Sequence, residues 1–288
     1  MKQFFISLLA TITGILVSTF LLIIIGIGII AAMISSSTEE KPLVVKDNSV
    51  LHITLSREIN DRTSNNPFNF LDMKADDKEI GLNDILNNLK KAKTDDKIKG
   101  IYLDLSVIRT GMASVEEIRN ALIDFKTSGK FIVSYSEVMT QKAYYLASIA
   151  DKIYLNPQGL IEWKGLSAQV MFYKGTLDKL EVEAQIFRHG KFKSAIEPFD
   201  LTKMSPANRE QTMTYVGSLW NQMVKGISET RKISVEELNK LADDMLIQTA
   251  EDAAKYKLID GVKYKDELLA ELVKPAARHL LLFVKLIE

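Results

Sequence analysis

Between Gln3 and Thr38 the chain carries no charged side chain, and residues 4–34 are almost wholly apolar. Such a run leaves no polar face to turn toward water. A helix of ~20 apolar residues already crosses a ~30 Å hydrocarbon core, so residues 1–35 are predicted to be a transmembrane anchor. A cleavable signal peptide, with Ala31-Ala32 near its processing site, is the alternative; its apolar stretch normally has only ~7–15 residues. Lys2 precedes the run, and Glu39 and Glu40 follow it. The positive-inside tendency then puts the amino terminus in the cytoplasm. The rest of the chain is expected on the periplasmic or exterior face of the cytoplasmic membrane, held by a single pass.

Residues 36–49 are polar and read as a linker to an α/β domain over residues 50–273. Strands are expected at residues 50–55, 98–105, 130–135, 153–155 and 184–187, from their β-branched and aromatic content. Helical spacing of apolar residues starts at Leu82, and again at residues 141–150 and 206–230. Ser114 with Glu117, and Ser234 with Glu237, have capping-box spacing and predict helix starts; Gly129 predicts a helix end. Residues 60–80 read as an exposed loop, and residues 249–261 as a helix followed by a turn. Strands alternating with helices over short connections predict a parallel sheet covered by helices. The tail, residues 274–288, is atypical. Its apolar run 280–284 is too short to span a membrane and reads as a packing helix or as a foreign end of the chain.

Composition narrows the chemistry. The 37 basic and 37 acidic residues cancel, which argues against a nucleic-acid partner. The absence of cysteine excludes disulfides, thiolate zinc and a cysteine nucleophile. His52, His189 and His279 lack the spacing of a metal site. No metal and no cofactor are expected.

Five segments carry a resemblance: GIYLDL at 100–105, GKFIVSYSE at 129–137, YYLASIADKIYLNPQG at 144–159, GKFKSAIEPFDLTKMSPANRE at 190–210 and LIDGV at 258–262. In order and spacing, over about residues 50–270, the chain resembles the signal peptide peptidase A (protease IV) family, and specifically the amino-terminal half of its long form. The resemblance implies a Clp protease/crotonase-like spiral of strand-strand-helix units. It also implies a serine–lysine endopeptidase acting on cleaved signal peptides, and a homo-oligomer, a tetramer in the full-length form. By the matching motif, Lys193 is implied as the general base. The serine-bearing motif of the family corresponds to residues 139–144, where Gln141 stands in place of serine. The resemblance thus implies a base-bearing domain whose nucleophile comes from a second domain absent here.

A lysine amine takes a proton only when neutral, and a dry site favours that form; burial of Lys193 is therefore expected. Without the resemblance, the run from Arg188 to Lys193 reads as a solvated basic loop. Ser134, Ser136 and Thr140 are further hydroxyls, read as incidental. Trp163, Phe172 and Tyr173 read as core or subunit packing, with a peptide groove as the alternative. A catalytically silent scaffold is the competing function. Acyl-CoA chemistry, known on related folds, fits the anchor and these phrases poorly.

Overall fold

The computed structural model describes residues 1–38, 45–63, 80–273 and 282–285. The chain divides into two units, Met1–Val44 with Ser64–Lys78, and Val45–Thr63 with Glu79–Glu288. The described part of the first is one helix, α1 (Lys2–Thr38). Its segment Lys2–Ile29 is long and apolar enough to cross a membrane, and none of it is buried. The few hydroxyls inside it bond back to the helix: Thr11 to Ser7 O and Thr13 to Leu9 O, both at 2.9 Å, and Ser18 to Ile15 O at 3.0 Å. A helix in hydrocarbon must satisfy its polar groups internally in this way.

The second unit runs β1 (Ser49–Ile53), β2 (Ile59–Asn60), β3 (Ile80–Gly81), α2 (Leu82–Thr94), β4 (Ile98–Asp104), α3 (Met112–Lys126), β5 (Phe131–Met139), α4 (Gln141–Ala147) and β6 (Lys152–Ile161). It continues with α5 (Lys174–Lys179), α6 (Glu197–Asp200), α7 (Pro206–Arg231), α8 (Val235–Asp243), α9 (Ala250–Lys255), β7 (Gly261–Val262), α10 (Lys265–Val273) and β8 (Leu282–Lys285). Six strands form one parallel sheet in the order β7-β6-β5-β4-β1-β8. Parallel sheets need both faces covered, and the side chains alternate accordingly. Leu51, Ile53, Ile101, Leu103, Ile132, Ile153 and Leu155 enter the large core, whereas Val50, Tyr102, Val133, Tyr135 and α10's Leu268 form a second cluster. Gly100 lies opposite Phe131 in the register, and a Cβ there would meet its ring at 2.5 Å. This mixed α/β architecture with a parallel sheet is consistent with the Clp protease-like arrangement expected.

The helix expected at residue 82, the strand at 98–105 and the long helix from Pro206 are all present. Ser205 caps α7 by accepting the Asn208 N–H, and Ser234 caps α8 by accepting the Glu237 N–H. Other expectations need correction. α3 begins at Met112 with Gly111 as its N-cap in extended conformation, so Ser114 lies inside the first turn and forms no capping box. The reciprocal box belongs instead to Thr249 and Asp252, at the start of α9. Residues 184–187 form no strand: Ala184, Gln185 and Phe187 are exposed and pair with no sheet. Within the apolar tail, Leu282–Lys285 forms no packing helix but adds a parallel edge strand to β1, and the rest of the tail lies outside the described residues. Of the expected 60–80 loop, Ile59-Asn60 pair with Ile80-Gly81, and residues 64–79 lie outside the described residues. So does His279.

One buried cation ties three helices together. Arg119, 3% exposed, donates from α3 to Tyr145 O at 2.5 Å and Ser148 Oγ at 2.9 Å. It also donates to Gly226 O at 2.7 Å and Thr230 Oγ1 at 3.4 Å. Its guanidinium lies 4.4 Å from the centre of the Tyr145 ring, whose hydroxyl donates to Glu116.

Candidate active site

The chain leaves β5 through Thr140, which caps α4: its hydroxyl accepts the Ala143 N–H at 3.3 Å and donates to Ser106 O at 3.2 Å. Gln141, the next residue, is the one that the resemblance sets against the family's serine. Its Oε1 accepts the N–H groups of Lys164 and Gly165, each at 2.9 Å, and its Nε2 donates to Gly165 O at 2.9 Å. Gly165 has φ +82°, a left-handed conformation suited to glycine. Gln141 therefore fastens the turn after β6 and offers no nucleophile. The other hydroxyls are structural too. Ser134 and Ser136 are buried in β5, and Ser136 donates to Val138 O at 2.8 Å. Trp163 is core, donating to Leu238 O at 3.0 Å and packing against Tyr144 and Trp220.

Beyond Gly165 the chain runs out as an arm, residues 166–204, and returns to α7. From residue 181 to 195 every side chain is exposed except half-buried Ile186 and Ser194. Phe187 is 94% exposed, and Met171, Leu180, Val182, Phe192 and Phe199 are exposed as well. Tyr173 stacks on Phe199 at 5.8 Å and donates its N–H to Pro198 O at 2.7 Å, which joins the two limbs of the arm.

Lys193 sits on the returning limb. Gly190, at φ +105°, opens the turn that carries it. Lys193 is exposed, so the buried amine expected from the resemblance is not present within this chain. It lines an open concavity of about 470 Å³ with Arg188, His189, Phe192 and Gln211. A neighbouring concavity of about 500 Å³, more apolar, lies between Leu166, Ala168 and the α7 residues Tyr215, Val216 and Leu219. Ser194 and Gln211 border both.

Four residues after Lys193, the Glu197 carboxylate is buried, at 1% exposure. It accepts Ser205 Oγ–H at 2.5 Å, Ser205 N–H at 3.1 Å and Asn208 Nδ2–H at 2.8 Å. Burial pushes its pKa up, but these donors, with the Arg188 charge, bring it below the usual value. Sequence reasoning passed over Glu197, Gln141's clamp and Arg119. A hint for Glu197 was its place between the apolar Ala195-Ile196 and the Ser205-Pro206 helix start, where an unpartnered charge is costly. His52 lies elsewhere, on β1, bonded to Asp104 at 3.1 Å and stacked on Tyr102.

Known proteins share this chain's pattern. The profile of "Peptidase family S49" matches residues 124–278. Protease 4 of Salmonella typhi is 39% identical over 204 residues, covering 68% of this chain and 33% of that relative. Protease 4 of Haemophilus influenzae is 37% identical over 162 residues, 56% of this chain and 26% of the relative. The chloroplastic serine protease SPPA of Arabidopsis thaliana is 29% identical over 228 residues, 79% of this chain and 32% of the relative. The chain thus spans about a quarter to a third of the length of these relatives. With its parallel α/β body and the motif around Lys193, the chain belongs to peptidase family S49, among the signal peptide peptidase A proteins.

Proposed function

We propose that this chain is the base-bearing part of a membrane-anchored serine–lysine endopeptidase that cleaves apolar peptides such as released signal peptides. α1 is its anchor, with the amino terminus in the cytoplasm. Lys193 is the general base. The serine comes from a second domain or chain that packs against the arm, in an oligomer of the kind the resemblance implies. The observation that carries this reading is the arm itself. Lys193 stands in solvent beside exposed Phe187 and Phe192, on an arm that also exposes Phe199 and Met171, and exposed apolar surface of this kind marks an interaction site.

The chemistry follows from the amine's surroundings. A covering surface removes water and favours the neutral amine. That amine accepts the serine proton as the hydroxyl oxygen attacks the peptide carbonyl. Backbone amides then hold the oxyanion, and the protonated lysine returns its proton to the leaving amine. A water, deprotonated the same way, releases the acyl group. The concavity between Leu166, Ala168 and Val216 takes an apolar side chain of the peptide. To test the assignment, Lys193→Met is made in protein that includes the serine-bearing partner, and cleavage of a signal-like peptide is assayed. Turnover at the parental rate refutes it. The anchor is tested separately, by whether deleting residues 1–38 moves the protein from the membrane to the soluble fraction.

A second reading, a catalytically silent scaffold, is favoured by one observation: all the side-chain polar atoms of Gln141 are engaged at the position where the serine would be. Robust peptide cleavage by the 288-residue chain alone contradicts that reading.

A further inference from the structure

Among the described residues between Trp163 and Ala207, Glu197 is the one that is buried. The arm is therefore fixed to the body at a single interior point, and that point is a carboxylate. Both of its oxygens are used. Oε1 takes the Ser205 hydroxyl, and Oε2 takes the Ser205 N–H and the Asn208 amide. The same Ser205 oxygen accepts the Asn208 N–H at 3.1 Å as the cap of α7, and Asn208 Oδ1 accepts from Thr212 at 3.3 Å. All three groups facing Glu197 donate to it, and bonds to an ionised carboxylate are stronger than the same bonds to a neutral amide.

The path from this anchor to Lys193 is short and hydrogen-bonded. Glu197 N–H donates to Ser194 O at 3.0 Å, and Lys193 N–H donates to Gly190 O at 3.4 Å. Leu201 N–H closes α6 onto Glu197 O at 2.8 Å. On the other side, Pro198 and Phe199 hold Tyr173 of the outgoing limb. Residues 187–195 add no buried side chain of their own.

We propose that Glu197 is a positioning residue: its buried carboxylate pins the Lys193 turn to the amino terminus of α7 and so sets where the amine meets its serine. This rests on the reading of Lys193 as the base. Misplacing a reacting group by about 1 Å costs on the order of 100-fold in rate, so the clamp acts on kcat and leaves peptide binding alone.

The test compares Glu197→Gln and Lys193→Met in the full peptidase, including its serine-bearing partner. The substrate is an apolar fluorogenic peptide, and rates are expressed per active site titrated by the acyl-enzyme burst. Amide exchange of residues 187–205 is followed by mass spectrometry in the same samples. Glu197→Gln is expected to speed that exchange at least about 10-fold. It is also expected to lower kcat by about 10- to 100-fold, with KM within about threefold, while the sheet exchanges as before. Glu197→Asp, which keeps the charge but shortens its reach to Ser205 and Asn208, is expected to act in the same direction by a smaller factor, and it stands in if Glu197→Gln does not fold. Parental kcat per active site in Glu197→Gln, beside loss of activity in Lys193→Met, overturns the positioning role alone. Full activity in Lys193→Met overturns the base reading and the positioning role with it. Unchanged exchange across 187–205 overturns the clamp, whatever the kinetics show.

Discussion

Replacing Arg119 with methionine is expected to destabilise the α/β body by about 3 kcal/mol. Methionine is of similar length and carries no donor. The change removes the bonds to Tyr145 O, Ser148 Oγ, Gly226 O and Thr230 Oγ1, and the contact with the Tyr145 ring. Hydrogen bonds from a charged donor contribute about 1.5–3 kcal/mol each, but the sum overstates the effect for two reasons. Desolvation of the guanidinium already offsets part of it. In addition, the two carbonyls keep other partners: Tyr145 O still accepts Ser148 Oγ at 2.8 Å, and Gly226 O still accepts Thr230 Oγ1 at 3.0 Å. What is lost without compensation is the link between α3, α4 and α7. For a body of this size, about 3 kcal/mol lowers Tm by roughly 6–12 °C. The assay is calorimetry or a urea titration in one fixed detergent. Arg119→Lys, with a single ammonium for spread-out acceptors, is expected to fall between the two. A loss below about 1 kcal/mol in Arg119→Met, or a gain of the kind seen when some buried ions give way to apolar groups, refutes the reasoning.

Gly226→Ala brings a Cβ to 2.7 Å from the Tyr145 ring; it is expected to cost about 1–3 kcal/mol by overpacking, read from the urea midpoint. Gln141→Ala releases the N–H groups of Lys164 and Gly165, and is expected to raise amide exchange at 164–168 and lower stability by about 1–3 kcal/mol. An unchanged exchange rate there denies the clamp. Asp104 is raised by burial, but the hydrogen bonds from His52 and Lys265 and their charges bring it below its usual value. Its folded pKa is thus depressed, so its stabilisation is present above about pH 4 and lost as pH falls through the lower folded value. Asp104→Asn is expected to be less stable than the parent at pH 7 and to lose less on acidification between about pH 5 and 2. Parallel stability–pH curves for the two proteins contradict this.

The sequence by itself determined whatever depends on near neighbours in the chain. The uncharged run from Gln3 dictates α1, because a helix that long without a polar face follows from composition. The near-continuous apolar run in residues 98–104 dictates a strand buried on both faces, and Ser205-Pro206 and Ser234 dictate the starts of α7 and α8, since a cap bonds only three residues ahead. The phrase around Lys193 placed the chain in its family. Tertiary structure decided whatever depends on partners distant in sequence. Gln141 turned from a missing serine into a clamp only when Gly165 came beside it, and Arg119 became a staple only with Gly226 across the core. Leu282–Lys285 became a strand because β1 had an open edge to pair. Residues 184–187 have the composition of a strand but found no edge, and a strand exists only by pairing. Lys193 shows the same division most plainly. Its identity is written in the local motif, but the water around it is set by which surfaces pack there, and among the described residues none covers it.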